Sequence, residues 1–506
     1  MKLIEGDIMK NKLCRFENLY GSIKGETSFL EIAFWWLTRG LLILCVFMDR
    51  EGTVLYLSVF ALTFTADFLR AIFPKIVLSF RFQSFICFLA LVSTVTGIGF
   101  GVLRKHPDYD LVIQLAGGIF SGALGYYIAT ALSKPKTKNE SLFVTFFTFC
   151  FAGTVTIFRK LSEFFSDFLF GTELCHVEFV EDNHWLYEVF GFAMSPYEQR
   201  PLLDTDEDFF FSIVGGVISA AVVYFKFRME SKDFFVQKKK ALSALSGKLL
   251  SHMSDKIALE IKKVSEDTSF FDRLFWWLVR FEMIYAFIEW DNRAEATLLL
   301  ANLVGTFAIT LVHLVFPRDS VLSKVSYKIQ TLITVMVFLG SYCGNYCEIY
   351  YIVPRFDLFL HFISGVLCVL GGYYIALTLT EHKSRKDSVR ISLFAFAFSC
   401  LIMPAWEVSE FIGDFIWGTS NQGFYWGPTE DSFFFKIFGH GVGNTMLYYL
   451  FDTIYDVLLA MVTTVITSIA LYIWLEYSRK KLKSSIQEKR DNQQLTKISC
   501  CATIRI

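Results

Sequence analysis

The chain has 506 residues, of which 54% are hydrophobic and 56 are Phe, and its net charge at pH 7 is −1. Soluble domains carry roughly a quarter charged residues; here the share is 19%, segregated between long apolar runs, which excludes a soluble globule. The basic residues lie in connections and not on one folded face, so no nucleic-acid partner is expected.

Residues 1–29 are polar and charged and read as a cytoplasmic N-terminal segment. They hold no apolar core or small-residue cleavage site, so the first membrane helix is expected to serve as an uncleaved signal. A bilayer-spanning helix needs about 20 apolar residues. Six such runs follow, at 30–48, 53–73, 82–103, 110–132, 141–158 and 209–227, within a first unit covering 30–228. A linker at 229–270 leads to six more, at 273–290, 296–316, 328–348, 357–379, 390–405 and 453–475, within a second unit covering 271–477, before a basic tail at 478–506. The expected fold is an all-α polytopic membrane protein with about 12 transmembrane helices.

The two units say nearly the same thing. Phe34-Trp35-Trp36-Leu37 with Arg39 returns as Phe275-Trp276-Trp277-Leu278 with Arg280, and the second span of each unit ends in Phe-Pro, at Pro74 and Pro317. Asp110 through Gly125-Tyr126-Tyr127 returns as Asp357 through Gly372-Tyr373-Tyr374. Ser162-Glu163-Phe164 with Asp167 returns as Ser409-Glu410-Phe411 with Asp414, and Asp204-Thr205 with Asp208 returns as Asp452-Thr453 with Asp456. A repeat of about 245 residues is too long for a solenoid and reads as two fused membrane domains.

Lysine and arginine set the orientation. Lys75, Lys134, Lys136, Lys138, Lys238 to Lys240, Arg318, Lys324, Lys383 and Lys386 fall in one set of connections, and the loop between Glu173 and Asp208 in the other set is acidic. Both termini are therefore expected in the cytoplasm, with the protein in the plasma (cell inner) membrane. Six spans per unit put both units in the same direction, as parallel repeats. In the linker, Leu242, Leu245, Leu249, Met253, Ile257 and Ile261 form one stripe among lysines. That pattern fits a helix on the anionic inner leaflet or one packed on cytoplasmic loops. Cys343 and Cys347 read as two unpaired thiols in preference to a bridge or a metal-binding pair at a helix end, and Cys500-Cys501 as a weak acylation signal.

The polar residues of the second unit form three groups: Asp357 with His361; Glu407, Glu410 and Asp414; Asp452 with Asp456. Spacings of three and four put each group on one helix face. The topology puts all three at one depth, near the exoplasmic surface. Ionisable groups there are costly and turn toward partners or a wet cavity, and so many carboxylates need a counter-charge. A divalent cation (Zn, Mn, Mg or Ca) held by Asp357, His361, Glu407, Glu410, Asp414, Asp452 and Asp456 is one reading. Within it Glu410, His361 and Asp456 are the candidate catalytic groups. Helix capping with pairing to Arg355 or Lys436 is the alternative. The first unit has Gln114 in place of His361 and Lys160 in place of Glu407, so it is expected to hold a relic in which Lys160 supplies the counter-charge. His440 reads as a solvated loop histidine, and the unmatched Asp67, opposite Thr310, as snorkelling or paired with Arg70.

On Asp357 with His361 and Gly365, the Glu407/Glu410 pair, and Asp452-Thr453 with Asp456, the second unit resembles the YjdF-like family of bacterial inner-membrane proteins, which are about one such repeat long. A fainter likeness, in the Asp-to-His turn, is to VanZ-like membrane proteins. The resemblance implies a multi-pass membrane protein and assigns no activity. Three functions stay open. The first is a metal-dependent enzyme on a lipid-linked or envelope substrate, in contact with membrane lipid. The second is an ion-coupled small-molecule transporter, and the third is a binding or regulatory protein with a structural cation site.

Overall fold

A computed structural model of the protein describes residues 27–49, 53–65, 67, 81–102, 109–133, 137–170, 200–230, 260–290, 293–316, 320, 322–353, 356–380, 384–417 and 445–503. Among the described residues all regular structure is helical. In the first repeat α1 is Phe29–Met48, α2 Thr53–Leu62, α3 Arg81–Leu89 running into a π-helix Ala90–Gly99, α4 Tyr109–Leu132, α5 Lys138–Phe170 and α6 Arg200–Glu230. The second repeat follows the same plan. It has α7 Phe270–Glu289, the pair α8 Arg293–Gly305 and α9 Ala308–Val315, and α10 Lys328–Val337 running into a π-helix Phe338–Tyr346. The short α11, Ile349–Ile352, leads to α12 Phe356–Leu379, α13 Arg385–Trp417 and α14 Thr445–Thr503.

The duplication reaches the caps. Ser28 Oγ accepts from Glu31 N at 3.2 Å while Glu31 Oε2 accepts from Ser28 N at 2.8 Å, closing a capping box on α1. Ser269 and Asp272 close the same box on α7, at 3.1 and 2.8 Å. Thr137 with Glu140 does so for α5 and Ser384 with Asp387 for α13. Each cap satisfies amides that the first turn leaves without partners, so the same four-residue signal starts the matching helices.

Helices α4, α5 and α6 pack as one inner bundle and α12, α13 and α14 as another. Glycines bring the backbones together where a side chain would forbid it. A Cβ on Gly118 would lie 2.1 Å from the Ser212 carbonyl oxygen, and one on Gly365 2.2 Å from Thr463 Oγ1. The bundles meet where α5 lies against α13: Phe143, Phe147 and Cys150 share one buried cluster with Phe394, Ala397 and Leu401. Across this seam Arg390 Nη2 donates to Ser133 Oγ at 3.0 Å. Such a stripe of aromatic and small residues is how helices hold together where lipid removes the hydrophobic drive.

Among the described residues seven helices are long and apolar enough to cross a membrane, or eight if the pair Leu298–Gly305 and Ala308–Val315, bent by 60°, forms one span. Each of the twelve expected runs meets a helix, but several differ in form. The runs at 141–158 and 390–405 are the middles of 33-residue helices, because α5 and α13 continue through their acidic ends. The run at 296–316 breaks between Gly305 and Ala308, and those at 82–103 and 328–348 turn into π-helix. The last run lies inside a 59-residue helix that carries on through the basic tail. Cys343 and Cys347 are free thiols.

Most of the linker, including its stripe from Leu242 to Ile257, lies outside the described residues. Its end, 260–267, is helical and packs on the second repeat. Glu260 Oε2 accepts from Tyr327 OH at 3.0 Å and faces His313 Nδ1 at 3.0 Å, while Lys263 Nζ donates to the Ser323 carbonyl at 2.5 Å. This part of the linker is therefore a packed helix.

Candidate metal centre

Helix α12 begins at Phe356, which puts Asp357 in its first turn, where the N-terminal end of the helix dipole favours a carboxylate. His361 follows one turn later on the same face. Opposite them stands α14, let in close by Gly365, and it supplies Asp456. His361 Nε2 lies 3.6 Å from Asp357 Oδ1 and 3.5 Å from Asp456 Oδ2. One ligand atom from each of the three residues falls within 4.8 Å of the other two. Asp456 is the most buried, at 6% side-chain exposure, and Asp357 the most open, at 38%.

The other expected residues are not all described. Glu407 on α13 is buried at 3% exposure, one turn past Pro404, whose missing N–H interrupts the helix ladder. Glu410 Oε1 accepts a 2.6 Å hydrogen bond from Trp406 Nε1. Neither glutamate belongs to the three-residue group. Asp414 lies on α13, Asp452 on α14 and Asp167 on α5, all with side chains outside the described residues; Arg355, Lys436 and His440 lie outside the described residues altogether.

Tyr350 was not singled out from the sequence. Glu348 takes a left-handed turn at φ 55°, and the short α11 that follows turns the Tyr350 ring onto Phe356, 5.5 Å between centroids. Gly344 makes room for it, since a Cβ there would lie 2.3 Å from a Tyr350 ring carbon. Burial, then the charges of Asp357, Glu410 and Asp456, push its phenol well above the usual range. All three carboxylates thus act on one phenol, which stays a neutral hydroxyl donor.

The matching end of the first repeat is filled by its own cations. Lys160, at 1% exposure, pairs with Glu163 Oε2 at 3.2 Å and with Asp208. Arg159 Nη2 pairs with Asp208 Oδ2 at 2.9 Å and Arg159 Nε with Glu163 Oε1 at 3.6 Å. Gln114 Nε2 donates to both oxygens of Asp110, at 3.2 and 3.1 Å. Lys160 is the counter-charge the sequence suggested; Arg159, which stands where the second repeat has Trp406, was missed. Asp204 lies on α6 with its side chain outside the described residues.

Two carboxylates and one imidazole are the donor set of zinc, manganese or iron more than of magnesium or calcium. Three protein ligands also leave coordination positions open, the pattern of catalytic rather than closed structural sites.

A family model described as "Predicted membrane protein (DUF2238)" matches the chain twice, over residues 30–229 and 271–477. No curated protein and no solved structure matches it.

Proposed function

The chain belongs, in both halves, to the DUF2238 family of predicted membrane proteins, and on that premise we propose that its second repeat is a divalent-cation site serving a metal-dependent membrane enzyme. The observation that carries the proposal is the meeting of Asp357, His361 and Asp456, from two helices, within one coordination sphere's reach. Glu407 stands outside that group on α13 and acts on the site through its charge, and Asp414 and Asp452 remain further candidate ligands from the sequence motifs. Glu410, oriented by Trp406, is the candidate general base, and the Tyr350 hydroxyl is a donor toward an anionic group on the substrate. A cation bound there supplies a Lewis acid and lowers the pKa of a bound water.

The family's membrane character supports membrane lipid as a partner. The orientation from lysine and arginine faces the site outward, in the plasma membrane, with both termini inside. The substrate class that follows is a lipid-linked or envelope molecule reached from the outer leaflet. Kinship to YjdF-like proteins, on the motifs given above, belongs to the same proposal. The 60° break between α8 and α9 favours a second reading, an ion-coupled carrier, because broken helices recur at carrier binding sites.

Elemental analysis of purified protein tests the enzyme reading. It expects bound metal in the wild type, lost in His361→Ala and retained in Glu410→Gln, with turnover of outer-leaflet substrates lost in both. Metal-free wild-type protein sinks the proposal. Substrate accumulation by proteoliposomes that persists in His361→Ala would favour the carrier.

A further inference from the structure

Each repeat buries one arginine near the middle of its first helix, α1 or α7, and gives it the same surroundings. Arg39 donates from Nε to Thr63 Oγ1 at 3.0 Å and from Nη2 to the Thr63 carbonyl at 2.8 Å, with its guanidinium 3.6 Å from the Phe64 ring centroid. Arg280 donates from Nε to Thr306 Oγ1 at 3.0 Å and from Nη2 to the Thr306 carbonyl at 2.6 Å, 3.6 Å from the Phe307 ring centroid.

The next contact separates them. In the first repeat Asp67 Oδ2 lies 3.7 Å from Arg39 Nη2 and accepts a hydrogen bond from Gln83 Nε2 at 3.1 Å. Asp67 thus pairs with Arg39; Arg70, its partner as expected from the sequence, lies outside the described residues. In the second repeat the residue is Thr310, and Gln330 stands for Gln83. Gln330 Oε1 accepts from Thr310 N at 3.1 Å and from Thr310 Oγ1 at 3.0 Å. A backbone N–H only donates, so that contact fixes which way the amide points. Its Nε2 makes no hydrogen bond among the described residues, although Gln330 is 1% exposed. Nor does any carboxylate among them pair with Arg280, which is 4% exposed. The second repeat has kept both donors that hold the Asp67 carboxylate and lost the carboxylate.

We propose that the second repeat binds a small monovalent anion between Arg280 and Gln330 Nε2, where the first repeat places the Asp67 side chain. The chemistry is that of chloride or of a carboxylate as small as formate. An anion there neutralises a buried guanidinium that is otherwise expensive to keep without a counter-charge, and it accepts from the amide donor that Gln330 leaves unused. The site lies beside the break between α8 and α9, since Thr306 and Phe307 are the two residues of that break. It does not rest on the cation proposed at the acidic end.

Thermal unfolding of the whole protein in detergent tests it, with chelator throughout and ionic strength held constant with sulfate. Wild-type Tm rises saturably as chloride or formate replaces sulfate, because a ligand of the folded state alone stabilises by mass action. A response to formate alone identifies a carboxylate ligand, and a response to chloride identifies a halide-sized site. Thr310→Asp restores the first-repeat arrangement, so its Tm is raised in sulfate and no longer responds to either anion. Asp67→Thr, made separately, lowers Tm in sulfate and gains a second anion-dependent rise. No response in the wild type, or an equal response in wild type and Thr310→Asp, overturns the proposal. Should Thr310→Asp fail to fold, an unchanged anion response in Asp67→Thr overturns it as well.

Discussion

At the acidic end of the first repeat, Lys160 and Arg159 pair with Glu163 and Asp208; at the matching end of the second, Glu407 and Trp406 stand in their places and His361 lies between Asp357 and Asp456. The helices, caps and glycine contacts are shared, so the difference rests on three substitutions. Gln114 against His361 exchanges a donor that tethers its own aspartate for an imidazole able to ligate. Lys160 against Glu407 reverses a buried charge. Arg159 against Trp406 removes a second cation and hands Glu410 a neutral donor. A buried carboxylate cluster needs positive charge from somewhere, and the first repeat supplies it from its own chain. The first helices of the two repeats show the converse: Arg39 has Asp67 for a counter-ion, and Arg280 has none among the described residues.

Taking the cation from the first repeat should have the largest effect. Lys160→Met leaves buried Asp208 and half-buried Glu163 short of positive charge and should cost about 3–5 kcal/mol, measured by denaturant unfolding in detergent. A variant as stable as wild type would mean that Lys160 does not neutralise this end.

Next comes the scaffold both repeats share. Gly118→Ala and Gly365→Ala each drive a methyl into the facing helix and should each cost about 1–3 kcal/mol. Gly117→Ala, where nothing lies within 4 Å of the new carbon, is the near-neutral control. Equal effects at Gly117 and Gly118 would refute the close approach of α4 and α6.

Much of this was written in the chain, and what was not had physical reasons. The repeats and the Asp357–His361 pair were readable because acids spaced by one turn are improbable in apolar sequence. The long reach of α5 and α13 was hidden, since hydropathy falls at Glu163 and Glu407 although the helices continue. The contact of Asp67 with Arg39, on another helix, was hidden because nothing in the spacing joins residues so far apart in sequence. Tyr350 carried no local signal: only the turn at Glu348 and the space at Gly344 bring it to the acids.

Making the second repeat resemble the first is a smaller perturbation of stability but a direct one of binding. Glu407→Lys introduces the first repeat's cation and should weaken metal affinity at least about tenfold, the scale of loss when groups around a metal site are altered. Equilibrium dialysis reads it, and unchanged affinity would exclude Glu407 from the site.

The smallest expected effect is on the alkaline side. The Tyr350 phenol is held well above its usual range, so its contribution to stability is complete below about pH 10 and is lost as pH rises through the folded value. Tyr350→Phe should flatten that decline, by at most about 1.4 kcal/mol at pH 11. An unchanged alkaline arm would place the hydroxyl in contact with solvent.

The metal content per chain, in wild type and in a matched pair of variants, reaches the core of the account. It predicts one divalent ion per chain, absent from Asp456→Asn and retained by Asp208→Asn. An ion-free wild type, two ions per chain, or loss of the ion in Asp208→Asn would contradict it.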